Sequence, residues 1–269
     1  MEISSFLQDK SVVVIGGTSG INLGIAREFS ACGARIAVAS RSQDKVDNAI
    51  SILSNSRHKA IGYAGDVREP KTIDKIFKNI SDNFGEIDIL ISGAAGNFPA
   101  PALGISPNGF KAVVDIDLLG TFNVMRAAYP FLKKPGSSII NISAPQSYVP
   151  MEFQVHVCAA KSGVDMVTKV LAMEWGKDGI RVNSISPGPI SETEGMKRLA
   201  PTAEMNKAVS NSVPLKRQGT KNDIAHAAMF LSSPYASYIT GIILPVDGGW
   251  SLGGASAIAS NLTELIKAK

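Results

Sequence analysis

The chain has few of the residues on which disulfide scaffolds and metal centres are built. Its 269 residues include two cysteines, Cys32 and Cys158, and three histidines. This argues against a cysteine-rich site, and we predict no metal. No apolar run approaches the roughly 20 residues that a membrane-spanning helix needs. Lysine and arginine form no block, so neither a membrane nor a nucleic acid is an expected partner.

Familiar sorting signals are missing as well. Residues 1–5 lack the basic-then-apolar arrangement of a secretory signal. The final Lys267-Ala268-Lys269 does not match the Ser-Lys-Leu peroxisomal address. We therefore expect a soluble protein in a reducing, cytoplasmic setting. The net charge of +4 is consistent with a slightly basic surface or with a polyanionic ligand, such as a phosphorylated cofactor.

Short apolar runs alternate with longer amphipathic stretches along the whole chain. Runs rich in β-branched residues predict seven strands, at 12–15, 35–39, 59–64, 87–91, 138–142, 181–185 and 239–246. Helical patterns lie between them, at 21–32, 43–53, 72–84, 110–132, 155–175 and 223–231. This alternation predicts an α/β fold of one domain, 1–269: a doubly wound parallel sheet of Rossmann type with helices on both faces.

The segment 188–213 has a weaker pattern and carries several glycines and prolines. It follows the sixth predicted strand, at the end of the sheet where open α/β folds bind ligands. We interpret it as a substrate lid, with a plain surface excursion as the alternative.

A glycine-rich segment follows the first strand and opens the first helix. Glycines allow a tight turn and a close approach to a pyrophosphate, and a helix N-terminus offers free N–H groups. The predicted phosphate-binding residues are Gly16, Thr18, Ser19, Gly20 and Ile21. The alternative is a turn that binds nothing.

The end of the second strand distinguishes between two cofactors. Sites for NAD usually place an acidic residue there, whereas this chain has Ser40-Arg41-Ser42. Arg41 can pair with a 2′-phosphate and Ser42 can hydrogen-bond to it. We therefore predict NADP (NADPH) rather than NAD, the alternative being that Arg41 is a solvated loop residue.

Together these segments resemble the short-chain dehydrogenase/reductase family over nearly the whole chain. Two departures from the family pattern concern the cofactor side: Asn22 stands where the third glycine usually lies, and Ser92-Gly93-Ala94-Ala95 replaces Asn-Asn-Ala-Gly. The resemblance implies further cofactor contacts, to the adenine and the nicotinamide, at Asp66, Val67, Ala94, Pro187, Gly188, Ile190 and Thr193. Lys161 can also hold the nicotinamide ribose hydroxyls.

The family's catalytic groups are mostly replaced. Catalysis in the family normally uses serine, tyrosine and lysine with a supporting asparagine, and Lys161 matches the lysine. Val157, Ala144 and Asp117 stand at the other three positions. Valine and alanine cannot donate a proton to a carbonyl oxygen, so ordinary ketone–alcohol chemistry is not favoured.

One branch of the family, the peroxisomal-type 2,4-dienoyl-CoA reductases, is more similar, for example at Ala94-Ala95-Gly96-Asn97-Phe98 and Gln154-Val155-His156. This resemblance implies that Lys161 is catalytic and that Asp165, one helical turn later, acts through a water. Asp117 would orient Lys161 or extend a water chain. Asn97 and Phe98 would touch an acyl-CoA thioester.

The implied chemistry does not need the missing phenol. Hydride from NADPH would add to the far end of a conjugated diene thioester, and a positioned cation such as Lys161 can stabilise the developing dienolate. A water held by Asp165 would then protonate the α-carbon. A simple helical ion pair between Lys161 and Asp165 is the alternative to this role.

Two other functions stay open at this point. A carbonyl reductase would use Tyr148 as a displaced acid, although we favour Tyr148 as part of the pocket wall. A protein that binds NADP without turnover would also explain the missing groups.

The predicted helices 110–132 and 155–175 are apolar on more than one face, which indicates a second packing partner. The family resemblance implies that they form a subunit interface, and we predict a homotetramer. Burial within one subunit is the alternative.

Overall fold

A computed structural model describes residues 3–55 and 57–255 of the chain. One parallel sheet contains seven strands in the order β3-β2-β1-β4-β5-β6-β7. The strands are β1 Ser11–Ile15, β2 Arg35–Ser40, β3 Ile61–Ala64, β4 Ile89–Ser92, β5 Ser138–Ile142, β6 Arg181–Pro187 and β7 Ile243–Val246. This confirms the predicted doubly wound parallel sheet.

Helices cover both faces of the sheet. They are α1 Gly20–Ala31, α2 Gln43–Leu53, α3 Pro70–Phe84, α4 Pro107–Val114, α5 Gly120–Ala128, α6 Val155–Trp175, α7 Glu194–Leu199, α8 Ala203–Ser212 and α9 Lys221–Ser232. The bounds of α2 and α6 agree to the residue with those that the apolar patterns predict.

Every residue of β1 is buried, because successive side chains of a strand enter opposite cores. Val12 and Val14 belong to a cluster with Phe29 of α1. Val13 belongs to another with Phe77 of α3. A strand that is apolar on both sides is what a sheet between two helical layers requires.

The strand order changes direction at β1. This strand pairs with β2 on one side and with β4 on the other, so the connections after β1 and β4 lead away from each other. A crevice opens at the carboxyl ends of strands where this happens. The glycine-rich segment after β1 lies at that crevice.

The predicted helix 110–132 is not continuous. A π-helical turn, Asp115–Leu119, separates α4 from α5. A π-turn inserts one extra residue and re-aims the side chains around it, often at a functional position. It leaves Asp117 with 1% of its surface exposed, although the neighbouring Leu119 is 45% exposed.

The segment 188–213 contains more regular structure than its pattern indicated. Thr193 caps α7 by accepting a hydrogen bond from the amide of Met196, and Thr202 caps α8 in the same way. Among the described residues, no helix combines the length and the apolar character needed to cross a membrane. The C-terminal tripeptide Lys267-Ala268-Lys269 lies outside the described residues.

Candidate active site

A cleft of about 910 Å³ opens along the carboxyl ends of the strands. It runs from the segment after β3, past the glycine-rich segment, to α6 and the helices of the 188–213 segment. Many residues predicted to bind a cofactor line it: Gly16, Thr18, Ser19, Gly20, Ile21, Arg41, Asp66, Val67, Ala94, Lys161, Pro187, Gly188, Ile190 and Thr193.

The glycine-rich segment forms a cradle in which backbone replaces side chains. Gly16 has a positive φ of 77°, and a Cβ at this residue would come within 2.9 Å of the amide nitrogen of Ala94. Only glycine meets both conditions without strain. Ser19, the N-cap of α1, makes no side-chain hydrogen bond to the helix. The uncapped helix start and the glycine turn fit the pyrophosphate of a dinucleotide.

Two cations line the cleft where β2 ends, Arg41 and Lys45. Nearby, Arg68 forms an ion pair of 2.6 Å with Asp66, and this hydrogen-bonded guanidinium lowers the pKa of the Asp66 carboxyl. Asp66 is therefore ionised at neutral pH and able to accept a hydrogen bond from an amino group. This end of the cleft suits a phosphorylated, adenine-containing ligand.

Ser42 is placed differently from its neighbour Arg41. Its hydroxyl caps α2 by accepting a hydrogen bond from the amide of Lys45 at 3.4 Å. It is not among the residues that line the cleft. A direct contact of Ser42 with a 2′-phosphate stays a prediction, and the sequence pattern did not single out Lys45.

Lys161 and Asp117 are buried charged groups that line the cleft. The Lys161 Nζ lies 3.3 Å from Asp117 Oδ2, and 7% and 1% of the two side chains are exposed. The Lys161 ammonium also donates to the carbonyl of Ile142 at 3.1 Å. This contact is an ion pair without a hydrogen bond, because Asp117 Oδ2 has no hydrogen-bond partner within the described part of the chain.

The second oxygen of Asp117 is also held. Asp117 Oδ1 accepts a hydrogen bond from the Gly96 amide at 2.7 Å, and the hydroxyl of Thr121 donates to the Asp117 carbonyl at 2.6 Å. The π-turn thus joins the segment after β4 to the lysine of α6. Val157 and Ala144, which stand at the family's tyrosine and serine positions, line the same part of the cleft.

Asp165 lies one turn after Lys161 on α6, but the ion pair of Lys161 is with Asp117. The Asp165 carboxylate is 7% exposed and accepts a hydrogen bond from the hydroxyl of Ser184 in β6 at 3.4 Å. It is not among the residues lining the cleft. Its action through a water stays a prediction.

Of the two residues predicted to touch the acyl-CoA thioester, one lines the cleft and the other does not. Asn97 lines the cleft and donates to Gln154 Oε1 at 3.4 Å. Phe98 is not in the cleft lining, and its ring packs edge-on against His156 with 4.5 Å between ring centroids. Burial lowers the pKa of the His156 imidazole, so this histidine is neutral at physiological pH.

Tyr148 is turned away from the cleft lining. Its hydroxyl lies 3.1 Å from the hydroxyl of Ser186 in β6, and it is 45% exposed. It is not among the residues that line the cleft. The structure therefore places the Tyr148 hydroxyl against β6.

Sequence reasoning predicted the lid segment 188–213 but not which of its side chains form the apolar wall, and it missed Met151 and Trp250. Residues from three separate segments complete it: Met151, Met196, Leu199, Val209 and Trp250. Gln146 lines it as well and donates to Gln154 Oε1 at 3.1 Å. Nothing in the local pattern around these residues distinguishes a cleft wall from an ordinary core contact.

The glycine cradle at the reversal of strand order and the buried lysine on the same cleft define a class, the dinucleotide-binding oxidoreductases. The chain belongs to the short-chain dehydrogenase/reductase family, within the group described as enoyl-(acyl carrier protein) reductase, whose family model matches residues 16–251. This confirms the resemblance found in the sequence and implies a nicotinamide cofactor.

Relatives with named activities extend the comparison. The peroxisomal 2,4-dienoyl-CoA reductase [(3E)-enoyl-CoA-producing] of Rattus norvegicus is 45% identical over 245 residues, covering 90% of this chain and 84% of its own. The Arabidopsis thaliana enzyme of the same name is 44% identical, with 88% and 83% covered. A crystal structure of a short chain dehydrogenase from Bacillus anthracis superposes with a TM-score of 0.83 at 39% identity, covering 91% and 97%.

Proposed function

We propose that this chain is an NADPH-dependent reductase of conjugated acyl thioesters that converts 2,4-dienoyl-CoA to 3-enoyl-CoA. The observation that supports it most is the buried pair of Lys161 and Asp117 in a cleft where Val157 and Ala144 replace the usual tyrosine and serine. The rat and plant relatives named 2,4-dienoyl-CoA reductase share at least 44% of their aligned residues with this chain.

When bound, NADPH supplies the hydride that is added to the diene. The task of Lys161 is electrostatic: its ammonium, held by Asp117 and by the carbonyl of Ile142, stabilises negative charge developing on the thioester oxygen. A fixed cation in a water-poor site is effective because it does not have to reorient as the charge develops. Asp117 is a positioning residue here, since it contacts Lys161 and the Gly96 amide.

Protonation of the dienolate needs a donor at carbon. Protonation at the α-carbon leaves the remaining double bond at carbon 3, the product stated in the names of the rat and plant relatives. We assign the delivery of this proton to a water, with Asp165 as the acid–base group behind it. Ser184, which hydrogen-bonds to Asp165, would set the orientation of that carboxylate.

The preference for NADPH over NADH rests on charge. Arg41 and Lys45 line the cleft beyond β2, where an acidic residue would otherwise bind ribose hydroxyls. A 2′-phosphate placed there gains two cationic partners.

Apolar side chains of α7 and α8 form a surface of the cleft against which the acyl chain would pack. Met196 and Leu199 of α7 and Val209 of α8 line the same cleft as Lys161, and we propose that 188–213 acts as a lid over the substrate. Arg198 of α7 donates to the carbonyl of Asn97 at 3.2 Å, which connects the lid to the segment after β4.

Assembly into a homotetramer is part of the proposal. Several apolar side chains of α5 and α6 face outward, among them Phe122, Met166, Val170 and Met173, while Val157, Ala160 and Val164 are buried within the subunit. Sedimentation of the purified protein would test this. A cytoplasmic setting stays a prediction, to be tested by imaging a fluorescent fusion.

A turnover assay with identified products tests the proposed function. Purified protein is mixed with NADPH and, separately, 2,4-hexadienoyl-CoA, crotonyl-CoA or acetoacetyl-CoA. Of these three thioesters, we expect only hexadienoyl-CoA to support rapid NADPH oxidation, with 3-hexenoyl-CoA as the product by NMR.

The other outcomes separate the alternatives. Faster reduction of acetoacetyl-CoA than of the dienoyl thioester would favour a carbonyl reductase. NADPH binding in a titration without oxidation by any of the three thioesters would favour a cofactor-binding protein without turnover.

A further inference from the structure

Asn22, on the first turn of α1, connects the two segments between which the cleft opens. It is 7% exposed and lines the cleft. Its Nδ2 donates to the carbonyl of Gly93, after β4, at 2.8 Å. The same nitrogen lies 3.4 Å from the carbonyl of Gly16, after β1. One carboxamide therefore links the ends of the two strands at the point where strand order reverses.

The space for this carboxamide exists because residue 93 is glycine. A Cβ on Gly93 would lie 2.4 Å from Asn22 Nδ2 and 2.5 Å from its Oδ1, closer than non-bonded atoms approach. The family usually has glycine at position 22 and asparagine at position 93. In this chain the two residues are exchanged, with asparagine at position 22 and glycine at position 93. The two departures from the family pattern therefore compensate each other.

The orientation of the amide is determined by its neighbours. Both nearby groups are carbonyl oxygens, so Nδ2 must face them and Oδ1 must face away. Asn22 Oδ1 is buried and has no hydrogen-bond partner within the described part of the chain. A buried acceptor without a donor costs folding free energy, so stability alone does not explain an asparagine here.

We infer that Asn22 is a positioning residue for the nicotinamide cofactor, acting jointly with Gly93. It holds the phosphate-binding segment at a fixed distance from the segment after β4, and both segments line the cleft. Gly93 is required because any side chain there displaces the carboxamide of Asn22. The cradle is therefore pre-organised for the dinucleotide before binding.

A double-mutant cycle in binding tests the inference without turnover. The dissociation constants of NADPH and, in parallel, NADH are measured by fluorescence titration for Asn22→Ala, Gly93→Ala and the double variant. Melting temperatures are measured without cofactor. The matched controls are Asn83→Ala, on the exposed end of α3, and Gly176→Ala, where an added Cβ would meet nothing within 4 Å.

We expect each single variant to weaken NADPH binding by about fivefold, because the two segments then have to be ordered when the cofactor binds. The double variant should be no weaker than either single one, because both changes remove the same link. The melting temperature of Asn22→Ala without cofactor should stay within about two degrees of the wild type, since its cost is the loss of an incompletely satisfied amide.

The isosteric Asn22→Asp keeps the shape and replaces the donor, so it should weaken binding more than Asn22→Ala does. A lower melting temperature of Asn22→Ala with unchanged affinity would overturn the inference, and so would multiplied effects in the double variant. If Gly93→Ala does not fold, the series at position 22 still decides between these results. If the wild type binds NADH more tightly than NADPH, the proposed NADPH preference is wrong. The double-mutant cycle measured with NADH then tests the role of Asn22.

Discussion

The two halves of the cleft are built from different groups. In the half at the ends of β1, β2 and β3, the turn after β1 is largely backbone, with Gly16 and Gly20 at positive φ. At the ends of β4 and β5 it consists of side chains held by distant partners, such as Lys161 with Asp117. A backbone site is specified by local glycines, whereas a side-chain site needs an assembled tertiary structure.

The ion pairs of the two halves differ in how far they are buried. Asp66 and Arg68 remain 21% and 41% exposed at the side chain, so solvent screens their interaction. Lys161 and Asp117 are almost completely buried, where Coulomb interactions are stronger and an unpaired charge is costly. Substitutions in the second half should therefore have larger effects than substitutions in the first.

The largest effect is expected at Lys161. Lys161→Met should lower kcat by about 10³-fold, because it removes the cation that stabilises the dienolate. It should also destabilise the fold by about 3 kcal/mol, since Asp117 is left buried without its partner. Adding Asp117→Asn to Lys161→Met should restore most of the stability and none of the activity.

Stopped-flow turnover and chemical denaturation measure the two effects. Lys75→Met, on the exposed face of α3, is the matched control and should change neither. A Lys161→Met enzyme with kcat within tenfold of the wild type would remove Lys161 from the chemistry.

The cofactor half should respond more weakly. Arg41→Ala should raise the KM for NADPH by about tenfold, the loss of one charge-assisted contact to a phosphate, and leave the KM for NADH unchanged. Arg27→Ala, exposed on α1, provides the control in steady-state assays with both coenzymes. Equal changes for NADPH and NADH would mean that Arg41 does not contact the 2′-phosphate.

A change outside both halves should affect stability only. Asp223 forms the capping box of α9 with Thr220, and its hydrogen bond with Arg217 lowers the pKa of the Asp223 carboxyl well below its ordinary value. Asp223→Ala should cost about 1 kcal/mol and about 2–4 °C in melting temperature. The exposed Asp82→Ala, which breaks a surface pair with Lys78, should cost less.

The stability difference between wild type and Asp223→Ala should depend on pH in a definite direction. A carboxyl with a depressed folded-state pKa stabilises the protein above its unfolded pKa of about 3.9, and the contribution is lost as the pH falls through the folded value. The gap between wild type and Asp223→Ala should be constant at neutral pH and shrink in acid. Thermal scans from pH 7 to pH 3 would show it, and a gap that widens in acid would contradict the assignment.

The smallest effect is expected at Tyr148. Its hydroxyl contacts Ser186 and not the cleft lining, so Tyr148→Phe should change kcat less than about twofold, within the range of a surface hydrogen bond. Tyr238→Phe, at an exposed position, is the control. Loss of nearly all activity in Tyr148→Phe alone would favour the displaced-acid mechanism of a carbonyl reductase.

Sequence reasoning performs best where signals are local. The strand pattern predicts β5 to the residue, and the glycine-rich segment between the first strand and the first helix indicates the cradle after β1. It performs worst at 110–132, where the pattern predicts one helix and the π-turn Asp115–Leu119 interrupts it. The break does not appear in the apolar pattern, because residues 110–132 are apolar on more than one face and a shift in helical phase therefore leaves no clear gap.

The sequence by itself determined the parallel α/β fold, the place of the cofactor and the absence of the usual tyrosine, since alternation, glycine spacing and residue identity are all local properties. Only the tertiary structure decided that Lys161 pairs with Asp117 rather than with Asp165, its neighbour on the helix. It also decided that Asn22 occupies the space left by Gly93. Both contacts join segments far apart in the chain, so their geometry exists only after the sheet and its two helical layers have packed.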